Sequence, residues 1–195
     1  MNRSIFGIDA SKEEFHVAVL LNDTFVTHVF KNNFAGFREM IKWGKKQVKD
    51  APKEWLFCCE RGIHSYPFLV FANEKGLFLW LESPILLERA QELDCKEIDG
   101  SKACIIATYA SRFQDRAKAT ILSKDLLDEL HLLMKYWVLL IEKEIELDVL
   151  CKEKQTVNSV TEITKSVIAN YETQIAILSE SAEELLQEAG VFSED

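Results

Sequence analysis

Neither glycine nor proline occurs between Gly100 and Gly190. A stretch that long without chain breakers excludes a turn-rich second half and predicts long helices. Cysteine is also sparse: the five thiols form no CxxC pair and are odd in number, and the four histidines are scattered. This argues against a disulfide framework and against a structural zinc site, leaving buried reduced thiols as the expectation. No segment reaches the ~18 apolar residues of a membrane span, and no N-terminal basic region leads into a long apolar run. The chain therefore reads as cytoplasmic and not membrane-bound.

What is present is charge, unevenly placed. The formal net charge is −9. Residues 1–120 carry 17 Lys+Arg against 16 Asp+Glu, a net of +1, whereas residues 121–195 carry 6 against 16, a net of −10. Acidity belongs to the last third, so the first 120 residues remain open to a polyanionic partner.

The patterning predicts an α/β domain followed by helices. Residues 4–8, 15–21 and 24–30 are short β-branched or aromatic runs, with Asn22-Asp23 as a hairpin turn between the last two. Residues 34–48 read as a helix capped by Asn33, 54–59 as a buried strand ending at Glu60, 66–72 as a helix stopped by Gly76, and 77–81 as another strand. Helices are expected over 84–94 and 101–113, the latter with Ala103, Ile106, Ala107, Ala110 and Phe113 on one face. Strands in series with interposed helices indicate a mixed sheet covered by helices.

Beyond residue 122, two apolar stripes predict a helical hairpin or coiled coil broken near residues 155–159. The first comprises Leu126, Leu127, Leu130, Leu133, Trp137, Leu140, Ile141 and Ile145. The second comprises Val160, Ile163, Val167, Tyr171, Ile175, Leu178 and Leu185. The first is broader than one partner helix can cover, which predicts a homodimer or hetero-oligomer through residues 123–195.

Three carboxylates stand where apolar runs end or a helix begins: Asp9, Glu60 and Asp99. In a sheet whose first strand is central they can converge on one edge. Converging carboxylates hold Mg²⁺, which prefers oxygen ligands and polarises a phosphodiester. The spacing alone is weak evidence.

The surrounding motifs add more. Gly7-Ile8-Asp9-Ala10-Ser11-Lys12 matches a strand ending G-I-D-x-S-K. Glu60-Arg61-Gly62-Ile63-His64-Ser65-Tyr66-Pro67 partly matches E-x-T-G-x-Y followed by an apolar helix. Residues 97–110 align without gaps on K-x-D-x-x-D-A-x-x-I-A-x-Y-A, with Asp99 at the first aspartate and Ala103, Ile106, Ala107, Tyr109 and Ala110 matching further on. In these motifs residues 4–122 resemble the N-terminal domain of the DEDD transposases of bacterial insertion sequences, the Piv-type family typified by insertion sequence 110. The resemblance implies a RuvC-like domain of RNase H fold over residues 1–122 and Mg²⁺-dependent DNA cleavage or exchange with RNA guidance, while the apolar stripes make residues 123–195 a coiled-coil dimerisation segment. The resemblance also implies Asp9, Glu60 and Asp99 as catalytic metal ligands.

The chain departs from that family at two places. The fourth acidic position holds Lys102, one helical turn after Asp99, where an ammonium is expected to repel Mg²⁺ and pair with Asp99. The family's serine-bearing C-terminal domain has no counterpart in the 195 residues. The expected function is thus a truncated, catalytically impaired transposase-family protein that binds DNA and a guide RNA. Lys12, the helix face of Lys42, Lys45, Lys46 and Lys49, and the cluster Arg112, Arg116 and Lys118 are its candidate phosphate contacts. The alternatives are an active metal-dependent nuclease or recombinase using Asp9, Glu60 and Asp99, an ATP-binding protein of the actin and sugar-kinase superfamily, whose glycine-rich phosphate loops are missing, and a pure scaffold. Trp43, Trp55, Trp80 and Trp137 are expected in the core. His64, beside Glu60, reads as structural in preference to a general base.

Overall fold

Apolar residues at every second position give each strand two faces, and that alternation organises the first part of the chain. The computed structural model describes residues 3–22, 24–94, 101–152 and 158–192. Among them, β1 (Ile5–Ala10), β2 (Glu14–Leu21), β3 (Thr24–Lys31), β4 (Leu56–Glu60) and β5 (Phe78–Glu82) form one mixed sheet in the order β3-β2-β1-β4-β5. β1 is central, antiparallel to β2 and parallel to β4; β5 runs parallel to β4, and β3 antiparallel to β2.

On one face Phe6, Ile8, Phe15, Val17 and Phe57 are buried beneath α1 (Phe34–Gln47) and α2 (Tyr66–Lys75). Phe15, Phe37 and Phe68 meet there at ring separations of 4.9–5.2 Å, close enough for aromatic packing to add to area burial. Asn33 caps α1 as expected, its Oδ1 accepting from the Gly36 amide at 2.9 Å. Gly76, at φ 61°, ends α2 in the left-handed conformation that glycine adopts without strain.

On the other face Ile5, Leu56, Cys58 and Trp80 pack against α4 (Lys102–Arg112), which presents Ala103, Ile106, Ala107 and Ala110 as predicted. The helix rests directly on Gly7. A Cβ there would lie 2.2 Å from the Ala103 carbonyl oxygen and 2.3 Å from the Ala107 amide nitrogen. α3 (Pro84–Asp94) precedes it. The backbone of Thr120 donates to Leu79 O at 2.8 Å and its hydroxyl accepts from the Leu81 amide, so the chain after α4 covers the β5 edge.

Two expectations shift. Residue 54 belongs to a 3₁₀ turn, Pro52–Glu54, and β4 starts at Leu56, because Pro52 opens the turn and has no amide hydrogen for a ladder. Of the predicted two-residue turn, Leu21 pairs with Thr24 and Asn22 takes φ 47°, while Asp23 lies outside the described residues. The thiols of Cys58, Cys59 and Cys104 are free and buried, and Cys151 is free and half-buried. Trp55, Trp80 and Trp137 are buried; Trp43 is only partly so and stacks on His28.

The chain divides into two compact units, Met1–Ser123 and Lys124–Asp195. The second contains α5 (Lys124–Lys152) and α6 (Asn158–Glu188), which pack on each other as a hairpin. Trp137 Nε1 donates to Ser179 Oγ at 3.1 Å, and that hydroxyl donates to Ile175 O at 2.7 Å. The first predicted stripe is buried or half-buried throughout. The second is corrected at its start: Ile163 and Val167 are exposed, and the half-buried positions there are Thr161, Thr164 and Ile168. Two of those three positions are threonines, so hydrophobicity alone points to the exposed side of the helix there. The side chain of Val160 lies outside the described ones. No helix among the described residues is long and apolar enough to cross a membrane.

Candidate functional site

Because β1, β4 and β5 run parallel, their carboxyl ends share one edge of the sheet. Ile8 pairs with Cys59 and Glu60 with Glu82, and continuing the first register sets Asp9 beside Glu60. Alternation then turns Asp9, Glu60 and Glu82 to the face that α4 covers. The sequence places Asp9 and Glu60 correctly as strand-end carboxylates. Asp99 lies outside the described residues.

Lys102 is the first residue of α4, and its ammonium pairs with Glu60 Oε2 and stands 4.0 Å from Asp9 Oδ1. Partial burial pulls the Lys102 pKa down, but the hydrogen bond and charge of Glu60, joined by the charge of Asp9, outweigh it and leave the pKa raised. The expected partner, Asp99, lies outside the described residues; the pairs with Glu60 and Asp9 follow from the position of α4 across the ends of β1 and β4.

Glu82 was not anticipated. It is 8% exposed, accepts from Tyr109 Oη at 2.8 Å and from the Ser83 amide at 2.7 Å, and closes the carboxylate row on β5. Burial, then the hydrogen bond and charge of Glu82, raise the Tyr109 pKa and hold its phenol neutral. The signal was available: Glu82 ends an apolar run as Glu60 does.

Asn32 was also missed. Buried beyond β3, it donates through Nδ2 to Ser11 O at 2.7 Å and to His64 O at 2.8 Å, tying the loop after Asp9 to the turn after Glu60. His64 is thereby held near Lys12. Burial, and then the Lys12 charge, lower its pKa. The thiols of Cys58 and Cys59 are raised by burial, so neither is activated as a nucleophile.

Of the candidate phosphate contacts, only Lys12 lies at this edge. Ser4 Oγ donates to Asp50 Oδ2 at 2.6 Å, which ties the residues just past α1 to the opposite end of β1. Lys45, Lys46 and Lys49 are therefore exposed toward the far edge, with Lys42 on the same helix. Arg112, Arg116 and Lys118 are exposed where α4 ends, with Arg116 over the Phe113 ring.

As arranged, Asp9 and Glu60 suit an ammonium better than a divalent cation. Mg²⁺ demands near-octahedral oxygen coordination, and the lysine head already offsets one of the pair's two negative charges. Among the described residues, no group of three or more His, Cys, Asp or Glu side chains is placed to hold a metal. Compared with known proteins, the chain matches no family model and no curated protein.

Proposed function

We propose that the first unit is an RNase H-like, RuvC-like domain of the DEDD transposase type, and that it binds nucleic acid with its own lysine in place of a catalytic metal. The strand order supports this reading: five strands as β3-β2-β1-β4-β5, with only β2 reversed, bring the carboxyl ends of β1 and β4 to one edge, as such a domain needs. The observation that carries it is the Lys102 ammonium set between the carboxylates of Asp9 and Glu60, at the edge where the resemblance places Mg²⁺.

In this reading Asp9 and Glu60 are structural anions, and no cleavage step runs through them. Affinity comes from exposed lysines and arginines of the first unit, which contact phosphates without reading sequence. DNA is the expected ligand, with RNA as a second arm of the test. The helical unit, residues 124–195, mediates self-association.

Fluorescence anisotropy with labelled single-stranded, duplex and branched DNA, and with RNA, tests the proposal. Binding is expected in EDTA, unchanged by added Mg²⁺ and weakened by salt, with the DNA intact on gels. Absence of binding at low salt overturns the binding function. DNA cleavage that requires Mg²⁺ and is lost in Asp9→Asn replaces it with the active nuclease.

A further inference from the structure

The helical hairpin leaves a second apolar seam uncovered. On α5, the side chains of Leu132, Tyr136, Leu139 and Leu150 are 47–56% exposed. Together with Lys143 and Glu146 they recur at steps of four, three, four, three and four residues. That is the 3.5-residue repeat of a coiled-coil seam, extending roughly 27 Å at 1.5 Å per residue. At about 100° per residue it falls on the side of α5 away from Leu130, Trp137 and Ile141, the buried stripe. Leu133, Leu140 and Leu147, seven apart and half-buried, join the two stripes. One helix partner covers one seam, and α6 is already that partner.

We infer that this outward face of α5 pairs with the same face of a second copy, in antiparallel orientation, with the two-fold axis near Leu140. The inference rests on the self-association reading above and adds the surface, the occupant and the direction. Charge decides the direction. A parallel pairing sets Lys143 against Lys143 and Glu146 against Glu146 inside the seam, two like-charge contacts that disfavour it. The antiparallel pairing removes both. Leu132 then meets Leu150, Leu139 meets the methylene stem of Lys143, and Tyr136 meets Glu146, to whose carboxylate a phenol can donate. Leu140 meets its own copy and Leu133 meets Leu147. Every contact except that of Leu140 with its own copy, which lies on the axis, occurs twice, as a closed two-fold interface requires.

Light scattering on the eluting full chain tests the surface. The native protein is expected at twice the 22.4 kDa of one chain, and Leu139→Lys at 22.4 kDa with its circular dichroism unchanged, since residue 139 is exposed. A native monomer at micromolar concentration overturns both this inference and the self-association reading. A Leu139→Lys variant that remains a dimer overturns this surface alone. Direction is read by oxidative cross-linking of a Leu132→Cys, Leu150→Cys, Cys151→Ser variant. Peptide mapping is expected to join position 132 to position 150 of the other copy, and a link from 132 to 132 overturns the antiparallel pairing.

Discussion

Lys102 holds its ammonium against the carboxylate of Glu60, joining the start of α4 to the end of β4. Asp9, on the neighbouring strand, is the second anion in reach, at 4.0 Å. Replacing the lysine by methionine leaves two like charges side by side. The lysine side chain is half-exposed, so the loss is expected at about 1 kcal/mol and not at the several of a buried pair. The sign with pH follows from the raised Lys102 pKa. The native advantage over Lys102→Met is full below the pKa of an unfolded lysine and fades as pH rises through the folded one. Urea melts of both proteins from neutral pH to beyond pH 10 check this; a difference that grows with alkalinity refutes it.

If the ammonium stands where a cation belongs, exchanging it for a carboxylate should create a metal site. Calorimetric Mn²⁺ titration is expected to show saturable binding in Lys102→Asp and its loss in Asp9→Asn/Lys102→Asp. The native chain is expected to show none. Saturable binding by the native chain, abolished by Asp9→Asn alone, would show that Lys102 does not fill the site.

Gly7 is the hinge between motif and mechanism in the first unit. Its lack of a side chain lets Ala103 and Ala107 touch β1, and that contact brings Lys102 to Glu60. Gly7→Ala places a Cβ against helix backbone that cannot rotate away. The expected cost is about 3 kcal/mol, at the upper end of overpacking effects. The variant should lose stability in denaturant, and a midpoint within error of native would show that α4 can shift without strain.

Much of this was readable from residues alone. Asp9 and Glu60 were legible because each ends an apolar strand. The helix over residues 102–112 was legible because its small residues share one face. What stayed hidden depended on tertiary placement. Nothing in the order of residues says that α4 crosses β1 and β4, so the pairing of Lys102 with Glu60 and Asp9 is not legible there. Glu82 carried the same strand-end signature as Glu60 but had no motif to single it out. The α6 seam is not legible at Ile163 and Val167, because two of the three half-buried positions there, Thr161 and Thr164, carry no apolar signal.

Tyr109→Phe isolates the role of Glu82. The phenol is one of two donors to a carboxylate that is 8% exposed. Removing it leaves a buried anion short of a hydrogen bond, at a cost of about 1–3 kcal/mol. Trp80 packs against the Tyr109 ring at 5.4 Å, so its emission should stay native-like in the folded variant. Thermal melts read the loss, and an unchanged midpoint would mean that Glu82 is satisfied without the tyrosine.

Nucleic-acid binding and the carboxylate edge are separable in the first unit. Lys45, Lys46 and Lys49 sit toward the amino end of β1, and a six-residue strand spans roughly 20 Å at 3.3 Å per residue. Two sites that far apart and sharing no partner should respond independently. Lys45→Glu/Lys46→Glu is therefore expected to weaken DNA binding at low salt and to flatten its dependence on salt, since fewer counterions are released. The same change made in the Lys102→Asp protein should leave Mn²⁺ binding as it was. If reversing these lysines leaves DNA affinity unchanged, phosphates are held elsewhere, and Arg112, Arg116 and Lys118 become the surface to reverse next.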